Sequence, residues 1–577
     1  MYKYLKSMVL LAVLCVCVQA AVYYVAVTGS DTTGSGSASA PWATIAKAVS
    51  TIPDAAGNMI MVKDGTYSGT NSISRTFSNH IIIRAENSYK AVIANASGGG
   101  VKVLYITGSN MTFRGFEIKN QGTGTNEYLI HIEGAGAHHV IMENNIIHDN
   151  LINDMIKINS GAHFITIQGN VMSNPQPNVA EGIQHMDVNK INDVVIQDNI
   201  FFHDYAVSDQ THAASFIVIK NSSVTFDCHR VTVQRNIMLN WQGKPDQPML
   251  LIGEDNYGPY GIDGCMIQNN LFIGNSTVPI SGSLNIKGCK DVTFRSNTQI
   301  GNFPCGSWNF AHRLCQESGQ PQNLNLFLYN NIWDDPTGTM TDFSDGAPID
   351  SSNVIYDNNL YWNNGAAIPT VDAAVWTGLS VDTSAVTTNP GLVNPTSVTL
   401  PTWSASTAKF ASGKATIREE FERLVAAYGA ISGAGGAVNL ADEAKMPADD
   451  ILGYTRGSNM DIGAFEYGAT GTTTTTTTIV AGSDPLASVK AFPNPFAPAS
   501  ANGGTVKFQN LPSGTTLTLN IFTVTGELLY ELTTSSPDAL LWDGRDKNGI
   551  AVPRGGYVCL IMDAEGHKKK VWVMLLK

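Results

Sequence analysis

Eight times between Val140 and Leu360, a run of alternating apolar residues ends on asparagine and is followed at once by another apolar pair. The asparagines are Asn145, Asn170, Asn199, Asn236, Asn270, Asn297, Asn331 and Asn359, at intervals of 25, 29, 37, 34, 27, 34 and 28 residues. Alternation over a few residues marks a strand. Asparagine tolerates the tight left-handed corner that turns a chain in a new direction. Intervals of this length hold about three short strands with their turns. The chain is therefore expected to coil as a solenoid, with each asparagine at a bend. Stacked bends would place the side chains about 4.8 Å apart, close enough for amide-to-amide hydrogen bonds along the interior.

These phrases resemble the right-handed parallel β-helix of the pectate-lyase-like superfamily, over roughly residues 22–467. Composition agrees with a coil of short strands: 54 glycines, 43% hydrophobic residues and only 14% charged ones. The net charge of −13 and the absence of a basic run before Lys568-Lys569-Lys570 argue against nucleic acid and against an acidic membrane surface. A polyanionic substrate would need local positive charge or a bound cation, with Ca2+ the natural candidate.

Residues 1–20 read as a secretory signal peptide: Lys3 and Lys6, an apolar run from Met8 to Val18, and the small-residue ending Val18-Gln19-Ala20. Leu14 and Val16 are too bulky for a lipoprotein signal, so a secreted or cell-surface protein is expected, acting as a monomer. No other stretch is long and apolar enough to span a bilayer. Residues 21–467 form the β-helix, beginning with a cap that contains Pro41-Trp42, a short helix with Ile45, Val49 and Ile52 on one face, and the Asp64-Gly65-Thr66-Tyr67 turn. This order is similar to the amino-terminal cap of many secreted β-helix proteins. Thr416 to Tyr428 reads as a helix with Thr416 and Glu419 as a capping box, expected to pack on the last coils. Asn389-Pro390-Gly391-Leu392-Val393 and Asp461-Ile462-Gly463-Ala464-Phe465-Glu466-Tyr467 resemble the ending of bacterial secreted β-helix proteins and read as structural.

Residues 468–483 hold seven consecutive threonines and read as a linker. From 484 to 577, Phe492-Pro493-Asn494-Pro495-Phe496, Trp542-Asp543-Gly544-Arg545 and Gly555-Gly556-Tyr557 resemble the FlgD-type immunoglobulin-like β-sandwich. Similar domains serve as carboxy-terminal sorting domains, which implies secretion or cell-surface machinery as a partner. The fold class expected is thus all-β, a solenoid followed by a small sandwich. Asp546-Lys547-Asn548-Gly549 is a hairpin turn rather than a calcium loop, since it lacks a downstream bidentate glutamate. Of the six cysteines beyond residue 20, Cys305 and Cys315 are the expected disulfide pair and Cys559 a buried thiol.

The strand before each asparagine strand can be aligned from coil to coil. Setting Ile106, Ile132, Ile158, Val188, Ile219, Ile252 and Ile286 level turns them inward, together with the apolar residues two before them. The residues between then face outward as a ladder: Tyr105, His131, Lys157, Asp187, Val218, Leu251 and Asn285. The next column carries Glu133, Lys220 and Lys287, with Glu254 and Asp255 beside it, and His185 is expected on the same outer face. Such a face suits a groove-bound polysaccharide. The reaction the resemblance implies is β-elimination of a uronate-containing polymer, as in a polysaccharide lyase. Lys157 or His131 would be the base, Tyr105 an acid, and Arg313 a partner for a substrate carboxylate. His185, Lys220 and Lys287 would bind substrate, while Glu133 with Asp187, or Glu254 with Asp255, would hold the cation. The rival reading is a glycan-binding or adhesive surface, with Lys157 and Asp187 an exposed ion pair. A glycoside hydrolase using Asp187 with Glu133 or Asp154 is the third.

Overall fold

The computed structural model describes residues 21–469 and 486–576, apart from 70, 95–101, 122–127, 151–152, 176–181, 206–212, 224–225, 227, 255–259, 318 and 370–380 in the first stretch, and 487–488, 493, 495, 497–504, 510, 512–516, 524–527, 535–539, 548 and 564–567 in the second. Residues 1–20, expected to be a signal peptide, and most of the threonine-rich segment lie outside the described residues. The chain divides into two compact units, one ending at Ala481 and one beginning at Gly482.

The first unit is a right-handed parallel β-helix. Its described strands form three all-parallel sheets of 12, 10 and 11 strands and one antiparallel pair, Trp403–Ser404 with Lys409–Phe410. Each coil contributes one strand to each sheet in turn. In one coil these are Ile130–Glu133 in the 10-stranded sheet, His138–Glu143 in the 12-stranded sheet and Ile146–Asn150 in the 11-stranded sheet. We call these the second, first and third sheets. Ile106, Ile132, Ile158, Val188, Ile219 and Ile252 are paired rung by rung and buried, so the alignment made from sequence is the register of the second sheet.

All eight repeat asparagines are buried at the corner between the first and third sheets. From Asn145 to Asn331, each amide Nδ2 donates to Oδ1 of the next at 2.9–3.1 Å. The same Oδ1 accepts the backbone N–H of the preceding member. Asp382 ends the stack, its Oδ2 taking both the N–H and the Nδ2 of Asn359. The left-handed residue at the corner is the one before the asparagine: Asn144, Gly169, Asp198, Arg235, Asn269, Ser296, Asn330 and Asn358 all have positive φ. The stacked asparagine satisfies the backbone groups that this turn frees.

The third sheet is apolar on both faces. Ile147, Met172, Phe201, Met238 and Phe272 point into the coil, while Ile146, Val171, Ile200, Ile237 and Leu271 form a separate outer cluster with Ile417, Phe421, Leu424 and Tyr428. The helix Ile417–Leu424, capped by Thr416 and Glu419 in a capping box, therefore covers the central coils rather than the last ones. The amphipathic pattern identified the helix but carried no information about which coil it would reach. At the other end, Ile45, Val49 and Ile52 bury one face of the helix Ile45–Thr51.

The second unit has three- and four-stranded antiparallel sheets sharing a core of Phe496, Val506, Leu519, Ile521, Trp542, Cys559 and Val573. All six cysteines are free and buried, which corrects the expected Cys305–Cys315 disulfide. The Cys305 thiol lies against the Thr341 hydroxyl at 3.1 Å, and Cys315 is held in the strand His312–Cys315.

Candidate functional site

The second sheet carries the predicted ladder in register: Tyr105 beside His131, then Lys157, Asp187, Val218, Leu251, Asn285 and Arg313. His131 and Asp187 are buried, as are Val218, Leu251 and Asn285, and these last three, which carry no ionisable group, separate two ionisable clusters along the ladder.

At the amino-terminal end the Tyr105 hydroxyl donates to Glu133 at 2.7 Å, and its ring stands 5.5 Å from that of His131. Lys102 lies over the Tyr105 ring and 3.6 Å from Glu133. His131 reaches Asn159 Oδ1 at 3.1 Å and Glu133 at 3.9 Å, with the Tyr128 ring packed against it. The hydrogen bond to Glu133 raises the Tyr105 hydroxyl above its ordinary value. Burial pushes Glu133 up, but Tyr105, His131 and Lys102 together hold it below the usual carboxylate value.

One rung further, Lys157 binds Asp187 and lies 3.8 Å from Asp154, while Lys220 returns to Asp187 at 3.2 Å. This is no exposed ion pair: 12% of the Lys157 side chain and 3% of the Asp187 side chain are accessible. Asp187 Oδ1 is buried without a hydrogen-bond partner. Asp154 takes the Gln184 N–H, and burial, then the charge of Asp187, push its carboxyl up to about 7 against the pull of Lys157. It is the principal group that the ladder alignment missed as a member of this cluster. It precedes the corner residue Met155, where strand alternation no longer indicates facing, although its spacing of three from Lys157 was visible.

The second cluster holds Lys287 between Glu254 at 2.7 Å and Glu317 at 2.6 Å. Arg313 is paired with Asp345 at 2.7 Å and lies over Trp308. Arg313 is four rungs from Asp187, about 19 Å at strand spacing. The structure therefore does not bring Arg313 and Lys287 to the Lys157 cluster.

His185 is corrected outright. It is fully buried, its ring against Phe201 and Phe216 and its Nε2 donating to the Phe202 carbonyl at 3.1 Å. It shares an inward corner position with Val103, Leu129, Met155 and Phe216, each just before its strand. The chain is still turning there, so two consecutive side chains enter the core.

Three of the four carboxylates expected to hold a cation lie within the described residues. Glu133 is taken by Tyr105 and Lys102, Asp187 by two lysines and Glu254 by Lys287, so each already has its countercharge. Asp255 lies outside the described residues. Among the described residues no helix is long and apolar enough to cross a membrane.

The fold and this face define a parallel β-helix protein with an ionisable outer ladder. No family model and no curated protein matches the chain. Among solved structures it is similar to XylC in complex with xylose, at 12% identity over 78% of this chain and 99% of that one, with a TM-score of 0.41. A rhamnogalacturonan lyase matches at 16% identity, covering 58% of this chain and 84% of the other, with a TM-score of 0.39. An alginate lyase from Paenibacillus matches at 18% identity, covering 54% and 94%, with a TM-score of 0.35. At these scores the likenesses carry no argument about activity.

Proposed function

We propose that this is a carbohydrate-active protein and that the second-sheet ladder performs β-elimination on a uronate-containing polysaccharide. The observation that carries this reading is that a phenol, an imidazole and a lysine occupy successive rungs, with a second lysine folded back beside them. Elimination needs a base for the proton α to the carboxylate, positive charge for the aci-carboxylate that forms, and a proton for the leaving oxygen. In this arrangement His131, its proton carried on Nδ1 and its Nε2 released from Asn159 by the incoming substrate, takes the α proton on Nε2. The C–H electrons become the new C=C bond as the glycosidic C–O bond breaks, and Tyr105, kept protonated by Glu133, protonates the departing oxygen. Lys157 and Lys220 offset the charge on the substrate carboxylate. Held between two aspartates, Lys157 is better suited to this electrostatic role than to that of base, and no step requires calcium. Arg313 with Trp308, and Lys287, would bind the polymer further along.

A second reading rests on a separate observation. Burial and then the charge of Asp187 push the Asp154 carboxyl up to about 7, both carboxyls lie against Lys157, and a pair of carboxyls flanking a glycosidic bond would hydrolyse it. Export to the cell surface or medium, guided by the amino-terminal segment and handed on through the second unit, belongs to the same proposal and rests on the sequence patterns.

Incubation with a panel of uronate polymers, with and without calcium, tests it. Ultraviolet absorbance of an unsaturated product is expected without added calcium. Tyr105→Phe and His131→Gln should each reduce it about a hundredfold or more. New reducing ends without absorbance would favour the hydrolase. Binding with no product would leave a glycan-binding surface and overturn both catalytic readings.

A further inference from the structure

The corner column of left-handed residues is tied to the return segment along most of its length. Arg235 and Asn269 donate to Asp449, Ser296 to Met446, Asn330 to the Asp442 carbonyl and Asn358 to the Leu440 carbonyl. The members before Arg235 are Asn144, Gly169 and Asp198. There a cleft of about 560 Å3 separates the coils from the start of the helix Ile417–Leu424, with Glu143, Gln168 and Gly169 in one wall and Ile417, Arg418 and Phe421 in the other. Gly169 keeps the cleft open. Alone among the eight members of the column it has no side chain, and a Cβ there would come within 2.7 Å of Asn144 Oδ1. An amide ladder ends in the same wall. Gln197, Gln234 and Gln268 each donate Nε2 to Oε1 of the glutamine one coil earlier, at 2.7–2.9 Å. Gln168 is the last of them, only 5% exposed, and its own Nε2 meets no acceptor among the described residues. Its register partner in the coil before is Glu143, where Arg114 takes Oε2 and leaves Oε1.

We propose that this cleft binds a neutral pyranose unit of a glycan, at a site separate from the second-sheet ladder and independent of the reaction proposed for it. Charge decides the class of ligand. Glu143 is paired with Arg114 at 2.6 Å, Asp198 with Arg235 at 2.8 Å and Arg418 with Glu422 at 2.7 Å, so the walls hold no uncompensated charge for an ion or a polyanion. They do hold one unused N–H donor and one unused carboxylate oxygen on neighbouring rungs, which stand about 4.8 Å apart. A hydroxyl is the group that satisfies both, accepting from Gln168 Nε2 while donating to Glu143 Oε1. The bond to the ionised oxygen is the stronger of the two. A buried amide without its partner is destabilising, and a bound hydroxyl relieves it. Ile417 and Phe421 give the C–H face of a sugar ring an apolar wall, and small-ligand sites combine such a wall with a few placed polar groups in clefts of this size.

The test is saturation-transfer NMR on the full chain with D-glucose, D-galactose, D-mannose and D-xylose and with their β-linked disaccharides. At least one sugar is expected to show transfer that titrates as a single site. A monosaccharide that suffices identifies a free or terminal sugar, and a response to the disaccharide alone identifies a unit within a chain. Gly169→Asn fills the cleft with a side chain that left-handed backbone accepts, as it does at Asn144 and Asn269, and should weaken binding at least tenfold with the thermal midpoint unchanged. Gln168→Glu keeps an oxygen for Gln197 but removes the donor, and should also weaken binding at least tenfold. Tyr105→Phe should bind the sugar as the wild type does, whether or not that variant still catalyses elimination. No transfer from any of these sugars to the wild type, or binding unchanged in both cleft variants, would overturn the site. Binding lost in Tyr105→Phe but kept in Gly169→Asn would put the sugar on the ladder and overturn it as well.

Discussion

Asp154 and His185 are both buried titratable groups, and they tilt the stability of the fold in opposite directions with pH. The Asp154 carboxyl stands at about 7, against 3.8 when free. Its folded value is raised, so the folded chain holds the proton more tightly than the unfolded one; the stability this confers is complete below the free value and is lost as pH rises through about 7. Asp154→Asn keeps an acceptor for the Gln184 N–H and removes the titration. Urea unfolding at pH 5 and pH 8 should show the wild type losing stability over that range and the variant losing less. His185 behaves conversely. Burial lowers it from 6.5 to about 3, so below 6.5 the unfolded chain takes a proton that the folded chain refuses. Stability therefore falls as pH drops from about 6.5, by up to about 1.4 kcal/mol per pH unit. His203, lowered further by burial and by His185, adds to the same slope. His185→Phe, which suits the Phe201 and Phe216 surroundings, should flatten the acid limb between pH 6.5 and 4 in the same assay. An unchanged limb would mean that the imidazole is not neutral in the fold.

Among the elements, the asparagine stack is the one whose loss can be followed bond by bond. Asn236 Oδ1 accepts from the N–H and Nδ2 of Asn199, and its own Nδ2 donates to Ile196 O, Gln234 O and Asn270 Oδ1. Asn236→Leu strands several of these buried groups at about 1–3 kcal/mol each, so a loss of about 3 kcal/mol or more is expected in chemical unfolding. Asp382→Asn keeps an acceptor at the open end of the stack and should cost far less. That this stack was legible in sequence follows from its locality: alternation, asparagine and an apolar pair recur within one stretch, and stacking permits only one alignment of the neighbouring strand. The same alignment placed Tyr105, His131, Lys157 and Asp187 on one column. It failed where alternation stops. His185 precedes its strand, where the chain is still turning. Partners remote in sequence were also hidden: Arg235 meets Asp198 one coil away and Asp449 across 214 residues, and no pattern in either segment announces the other.

Taken as a whole, the first unit buries a separate cluster outside its coil interior, and that outer cluster is closed by the chain's own return segment. Residues 390–467 lay Ile417, Phe421, Leu424, Tyr428 and Ile451 against Ile200, Ile237, Leu271 and Ile273 on the outside of the third sheet. They are pinned by Arg456, which pairs with Glu466 at 2.8 Å and donates to Asn269 and the Gly463 carbonyl. Each fully buried large aliphatic side chain contributes about 1.5–3 kcal/mol, so uncovering that surface removes a large share of a domain's net stability. Two truncations separate the cases. A chain of residues 21–469 keeps every contact of these clusters and should unfold at the same midpoint as the first unit of the full protein. A chain ending at residue 389 exposes the third sheet and should bind a hydrophobic dye, aggregate on concentration and unfold at a lower midpoint. Equal midpoints for the two would show that the β-helix is stabilised by its coils alone and that the return segment is an attachment rather than part of the core.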